Sequence, residues 1–313
     1  MKILILNRNL LGDSLMTTPT TLAIYDKHNK PEITMYVKDD WCKSANYRLG
    51  IPIKLVHTPV EDMSEYDLVY DYNIPKAHKM SGVHNLGCVY TMSIMAGVPL
   101  KTFIPVYITP EESIAKAPAG LVLFNPYSKS CASHSGLPPT TRWRDDRWAE
   151  LYSLMKKTYD GINIKILGGK GDYIIPGIPE EDHMLGLDLD STAAIFYRSL
   201  LVVSISTGLC HLAVSQKANV IDLYPSRSLH TNWASYLQHP DYRMISSYPW
   251  DVRTSLVYQL VREQLDDVYD SALTGTQEIK CTNCGKVIIV DRPRKETIVL
   301  CLDCQTPEER MVA

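Results

Sequence analysis

Residues 200–224, LLVVSISTGLCHLAVSQKANVIDLY, place a Ser-Thr-Gly turn between two apolar runs. Residues 201–203 and 218–224 read as parallel strands covered on both faces, and a helix begins at the turn between them. Thr207, the Gly208 amide and His211 then gather at a helix N-terminus, where unpaired N–H groups and the helix dipole attract an anion. The chemistry expected there is the grip of a phosphate-bearing ligand. A second candidate lies in NRNLLGDSLMTTP, where Gly12 and Asp13 follow the first apolar run and open a helix. A carboxylate beyond a strand end can take a proton from an attacking hydroxyl, and an Asp at that place can equally cap its helix. In TTRWRDDRWAEL, Arg142, Arg144 and Arg147 stand just before and within the first turn of another helix. Guanidinium groups suit bidentate phosphate contact, while Asp145 and Asp146 offer them partners at the surface.

Near the carboxyl end, Cys281, Cys284, Cys301 and Cys304 form two C-x2-C pairs separated by 16 residues, the spacing of a zinc ribbon. Four thiolates suit tetrahedral zinc and leave no position for water, so a structural zinc is expected and a catalytic metal is not. Val287–Val290 and residues 297–300 read as two strands around a turn, and a tail this short needs a metal staple to fold. Arg292, Arg294 and Lys295 at that turn are either placed for a phosphate backbone or are ordinary exposed charges. The other cysteines, Cys42, Cys88, Cys131 and Cys210, are scattered and read as reduced thiols.

The elements that must position these groups alternate regularly. Residues 3–6, 32–37 and 66–72 read as strands, and residues 14–28 and 84–96 as helices. After a proline-containing link at 103–120 the rhythm restarts with a strand at 121–126, a helix at 145–159, a strand at 162–167 ending in Gly168 and Gly169, and a helix at 192–198. An amphipathic helix over 251–270 and a polar stretch at 271–278 precede the cysteines. The fold class is α/β, with two Rossmann-like domains facing a cleft, residues 1–112 and 113–275, and a zinc ribbon at 276–313. Ligands of open parallel sheets bind beyond the carboxyl ends of the strands, so the cleft is the expected active site.

Composition sets limits on function. The 313 residues carry a net charge of -3, with 45% hydrophobic and 21% charged residues, as in a soluble globular protein. The charge argues against a broad nucleic-acid-binding surface and permits a local basic patch. No apolar run reaches the roughly 18 residues of a membrane span, and MKILILNRN is too short for a signal peptide core, so the cytoplasm is the expected compartment.

Taken in order, four segments resemble the ADP-heptose:lipopolysaccharide heptosyltransferases, glycosyltransferase family nine, of GT-B fold. They are the first strand with LLGDSLMTTP, the strand YDLVYDYN, the strand FNP leading through TRWRDDRWAEL to KILGGKGD, and STGLCHLA, and the likeness spans roughly residues 1–265. The resemblance implies an acceptor-binding first domain and a nucleotide-sugar-binding second domain. It makes Asp13 the general base, gives the donor diphosphate to Thr207, Gly208 and His211, and adds Arg142 as a phosphate contact. Asn125, Gly168, Gly169 and Ser206, beside these motifs, complete the expected donor-binding set. Two features depart from the pattern: Ser206 stands where such enzymes carry Asp before Thr-Gly, and they have no zinc ribbon as a rule.

The implied reaction is one inverting displacement without a divalent metal. Asp13 deprotonates an acceptor hydroxyl as it attacks the anomeric carbon, and the helix N-terminus with Arg142 stabilises charge on the departing diphosphate. The resemblance makes the acceptor a lipopolysaccharide-type saccharide. The ribbon and Ser206 open an alternative, hydroxymethylated bases of DNA. A non-catalytic nucleotide-binding protein is the reading from another class, and Asp13 weighs against it.

Overall fold

The computed structural model describes residues 1–38, 40, 45–46, 48–72, 88–127, 143–224, 242–246, 252–273, 277–280 and 287–290. The chain divides into two compact units, residues 1–261 and 262–313.

The first unit holds two sheets, both parallel throughout. One is built from β1 (Lys2–Asn7), β2 (Glu32–Val37), β3 (Ile53–Val56) and β4 (Leu68–Asp71), in the order β3-β2-β1-β4. The other comprises β5 (Leu121–Asn125), β6 (Asn163–Gly168), β7 (His183–Leu185), β8 (Leu201–Ile205), β9 (Val220–Tyr224) and β10 (Tyr242–Ser246), in the order β10-β9-β8-β5-β6-β7. The central pair, LVLFN and LVVSI, is buried at every residue, as expected of strands covered on both faces. Among the described residues the α-helices are α1 (Leu11–Lys27), α2 (Cys88–Ala96), α3 (Glu111–Lys116), α4 (Asp145–Thr158), α5 (Leu189–Arg198), α6 (Gly208–Ser215) and α7 (Thr254–Leu273), and Glu180–Asp182 forms a 3-10 turn. None of them is long and apolar enough to cross a membrane.

Local chemistry explains the helices that matter for the site. In α1, Pro19 has no N–H for the Leu15 carbonyl, and the Thr18 hydroxyl supplies that bond instead at 2.6 Å. In α4 the buried residues Trp148, Leu151, Tyr152 and Met155 recur at helical spacing. Trp148 packs edge-on against Trp143 at 4.8 Å and lies 5.3 Å from Phe124 of β5. Helix α5 is capped by Asp188, which accepts from the Ser191 amide.

The link between the sheets is pinned from both sides. From the first sheet's half, the Thr18 hydroxyl accepts from the Val106 amide at 2.8 Å, and the Ile108 amide bonds the Arg48 carbonyl at 2.8 Å. From the other, the Gln216 amide nitrogen donates to the Tyr107 carbonyl at 2.9 Å, and Gln216 accepts from the Thr109 hydroxyl at 2.6 Å. Arg48 also bonds Asp190 of α5, and the Tyr107 hydroxyl donates to the same carboxylate.

Several elements differ from the expectation. Strands β3, β7 and β10 and helix α3 have no counterpart among the elements expected from sequence. β3 is a half-exposed edge strand, β7 has three residues at the other sheet's edge, and α3 buries nothing, so none carries a continuous apolar run. In the second unit, β11 (Gln277–Lys280) pairs antiparallel with β12 (Val287–Val290), Lys280 opposite Val287. The expected polar stretch at 271–278 is thus taken up at one end by α7 and at the other by β11. The strand expected at 297–300 and all four clustered cysteines lie outside the described residues.

Candidate active site

The site is built where two helix N-termini meet. Helix α1 follows β1 and α6 follows β8, and neither first turn is capped by a side chain. The two ends abut at a pair of glycines. A Cβ on Gly12 would lie 2.8 Å from His211 Cδ2 and 3.1 Å from Gly208 Cα, and one on Gly208 would lie 3.2 Å from the Gly12 nitrogen. Only glycine at both positions lets the backbones approach this closely. Two uncapped helix ends pointing into one place present amide donors and positive dipole ends to any anion between them.

Asp13 sits next to this contact. The N-cap of α1 is Leu10, so Asp13 lies within the first turn and does not cap the helix. Burial alone pushes its pKa up to about 6. A carboxyl with that pKa is largely ionised at neutral pH and is a stronger base than an exposed Asp, which suits it to accept a proton from a hydroxyl.

On the other side, Thr207 is the N-cap of α6. Its hydroxyl does not cap the helix; it accepts from Asn125 Nδ2 at 2.9 Å, and the same nitrogen reaches the Ser204 hydroxyl at 2.8 Å. Asn125 is fully buried at the end of β5, and its Oδ1 has no hydrogen-bond partner among the described residues. Ser206, Thr207 and Gly208 are half-exposed, while His211 is buried beneath them. At the end of β6, a Cβ on Gly168 would lie 2.7 Å from Tyr127 and from Leu185, and the Gly169 amide donates to Asp172 at 2.6 Å. The Tyr127 ring stacks edge-on against Tyr173 at 5.4 Å.

Asp13, Gly12, Thr207, Gly208 and His211 are therefore gathered in one place, with Asn125 directly behind Thr207. Arg142 and the loop at 128–141 lie outside the described residues. Arg144 is paired with Asp146, and Arg147 donates to the Val252 carbonyl, so both serve local structure. Sequence reading missed Asp222 and Tyr242, which lie behind α6. The Tyr242 hydroxyl donates to Asp222 at 2.7 Å, and burial pushes the Asp222 carboxyl up to about 7. An acid inside the apolar run VIDLY was the available signal. Also missed was the network around β1, in which Asn9 bonds the Asn7 side chain at 2.8 Å and the Tyr72 carbonyl at 3.0 Å.

Two parallel sheets thus meet through the N-termini of one crossover helix from each, α1 after β1 and α6 after β8, at the carboxyl ends of strands where open α/β sheets bind ligands. The profile of glycosyltransferase family 9 (heptosyltransferase) matches residues 39–241, more than half of the chain, and the chain belongs to that family. Asp13 precedes the matched span, and the Thr207 to His211 turn lies inside it.

Solved structures repeat the fold. A family 9 glycosyltransferase from Veillonella parvula is 15% identical with a TM-score of 0.64, covering 85% of this chain and 97% of its own. E. coli heptosyltransferase WaaC, solved with ADP-2-deoxy-2-fluoro heptose, is 14% identical with a TM-score of 0.58, covering 84% and 99%. E. coli ADP-heptose lps heptosyltransferase II is 15% identical with a TM-score of 0.56, covering 85% and 99%. No curated protein matches in sequence. The protein is a glycosyltransferase of GT-B-like fold.

Proposed function

We propose that the enzyme is an inverting transferase that moves a sugar from a nucleoside-diphosphate donor to an acceptor hydroxyl without a divalent metal. The observation that carries this reading is the abutment of the α1 and α6 N-termini at Gly12 and Gly208, with Asp13 beside it. The donor diphosphate lies against the α6 end, held by Thr207, the Gly208 amide and His211. Asn125 orients the Thr207 hydroxyl from behind, and Ser206, Gly168, Gly169 and Arg142 border the donor. Asp13 removes the acceptor proton during attack at the anomeric carbon, and the two helix ends stabilise the charge gathering on the leaving diphosphate. Such a site needs water kept out, since water is a competing acceptor.

Support for a nucleotide-sugar donor comes from family membership and from the ADP-2-deoxy-2-fluoro heptose with which WaaC was solved. The acceptor we propose is a saccharide of lipopolysaccharide type, modified in the cytoplasm. Hydroxymethylated DNA is the second reading, favoured by Ser206 and by the cysteine-rich tail with Arg292, Arg294 and Lys295 in its sequence. We also propose a structural zinc held by Cys281, Cys284, Cys301 and Cys304. The β11–β12 register supports it, because the connection from Lys280 to Val287 holds the first cysteine pair.

The deciding experiment offers the full-length protein a pool of nucleotide sugars with deacylated lipopolysaccharide core in one reaction and hydroxymethylated DNA in another, read by mass spectrometry. A sugar-sized gain on the saccharide is expected. A gain on DNA alone would replace the acceptor assignment, and donor consumption without a gain on either would overturn both acceptors.

A further inference from the structure

Behind the donor-side turn lie buried polar groups, Asp222, Tyr242 and Cys210, that the proposed reaction does not use. Asp222 lies in the middle of β9 and is 2% exposed. Its Oδ2 accepts from the Tyr242 hydroxyl of β10 at 2.7 Å, and its Oδ1 has no hydrogen-bond partner among the described residues. Cys210, in the first turn of α6 and equally buried, neighbours this carboxyl group and the Ser204 hydroxyl, which itself donates to the Ile205 carbonyl at 2.6 Å. Ser204 in turn accepts from Asn125, whose same nitrogen holds the Thr207 hydroxyl. Two hydrogen-bonded pieces, Tyr242 with Asp222 and Ser204 with Asn125 and Thr207, thus lie on either side of the Cys210 thiol, and the second ends on the N-cap of α6.

An apolar side chain at position 222 would match the rest of VIDLY and avoid the desolvation of a carboxyl group. What the acid adds is a polar anchor for the first turn of α6. We propose that Asp222 is a positioning residue for the donor site: held by Tyr242, it fixes Cys210 and hence the α6 turn that presents Thr207 and the Gly208 amide to the diphosphate. The inference rests on the donor reading above and deepens it. A turn fixed before the ligand arrives spares the ordering that binding otherwise costs.

The test uses the full-length protein and inorganic pyrophosphate, which probes the phosphate grip independently of base and sugar. Calorimetry and thermal unfolding are run on wild type, Asp222→Leu, Asp222→Asn and Thr207→Val. Asp222→Leu is expected to weaken pyrophosphate binding about tenfold, the weight of ordering one or two side chains. Its unfolding midpoint should stay within a few degrees of wild type, and Asp222→Asn, which still accepts from Tyr242, should bind within about twofold of wild type. If Asp222→Leu does not fold, Tyr242→Phe and Cys210→Ala each remove one link, and each should weaken binding about two- to fourfold. A folded Asp222→Leu, or the two single-link variants, binding as wild type while Thr207→Val binds weakly would overturn this inference alone. An Asp222→Asn protein as weak as Asp222→Leu would also overturn it. Wild-type protein that fails to bind pyrophosphate would remove the donor reading, and this inference with it.

Discussion

The two sheets are both parallel, yet they back their helix ends differently. Behind α1 the polar groups are neutral: Asn7, Asn9, Ser14, Thr17 and Thr21 are buried, and Tyr72 joins them through a 2.9 Å bond to Thr21. Behind α6 the buried polar groups include an ionisable pair, Asp222 and Cys210, beside the neutral Ser204 and Asn125. The sheet of β1 also ends in two partly exposed edge strands, β3 and β4, whereas the central strands of the other sheet are buried throughout. The difference suits the roles assigned to them. In the proposed reaction the half with α6 needs one fixed anion grip at every turnover, and the half with α1 keeps its raised carboxyl, Asp13, only partly covered, open to an acceptor.

The largest break in this comparison comes from Asp13→Ala. Loss of a general base costs about 10²- to 10⁴-fold in turnover, and pyrophosphate affinity should stay as in wild type; transfer rates and calorimetry on one preparation separate the two. Next, Gly12→Ala should damage both halves at once, because the new methyl meets the His211 ring and the Gly208 backbone. Overpacking of that kind costs about 1–3 kcal/mol, and it should lower the unfolding midpoint, turnover and pyrophosphate affinity together. Retained activity would show that the helix ends need not abut.

Stability against pH separates the two carboxyls. Burial raises Asp222 to about 7 and Asp13 to about 6, so the folded state holds protons that the unfolded chain has already released. Their contribution is greatest below the ordinary Asp range. It is lost as pH rises, up to about 6 for Asp13 and up to about 7 for Asp222, at about 1.4 kcal/mol per pH unit per group as an upper limit. Unfolding midpoints should therefore fall between about pH 4 and pH 7 and level off above it, and Asp222→Asn should remove the part of that fall above about pH 6. A midpoint that rises over this range would contradict the assignment.

The smallest effect is expected at the join. Asp190→Ala removes the partner of Arg48 and Tyr107, which is half-exposed, and should cost about 1 kcal/mol or less in stability. If the contact sets how the halves open, kcat should change more than pyrophosphate affinity, as stopped-flow product release would show.

Much of this was legible in the sequence because parallel α/β structure writes itself as apolar runs followed by turns. Residues 201–203 and 218–224 predicted β8 and β9, and Gly12-Asp13 and Ser-Thr-Gly marked the two helix ends. Edge strands such as β3 and β7 were illegible, since half-exposed residues carry no apolar pattern. The abutment of Gly12 and Gly208 was also illegible, because 196 positions of chain separate two glycines whose only signal is their contact. Asp222 was readable as an acid in a buried run, but its partner Tyr242 lies on a strand with no continuous apolar stretch.

The central claim is that Asp13 does chemistry while the α6 turn holds the donor. Measuring sugar transfer from ADP-heptose to deacylated lipopolysaccharide core alongside ADP affinity, in wild type and Asp13→Ala, tests it most directly. The account predicts transfer by wild type, loss of transfer in Asp13→Ala, and the same ADP affinity in both. Transfer that survives in Asp13→Ala, or an ADP affinity that falls with it, would contradict the account.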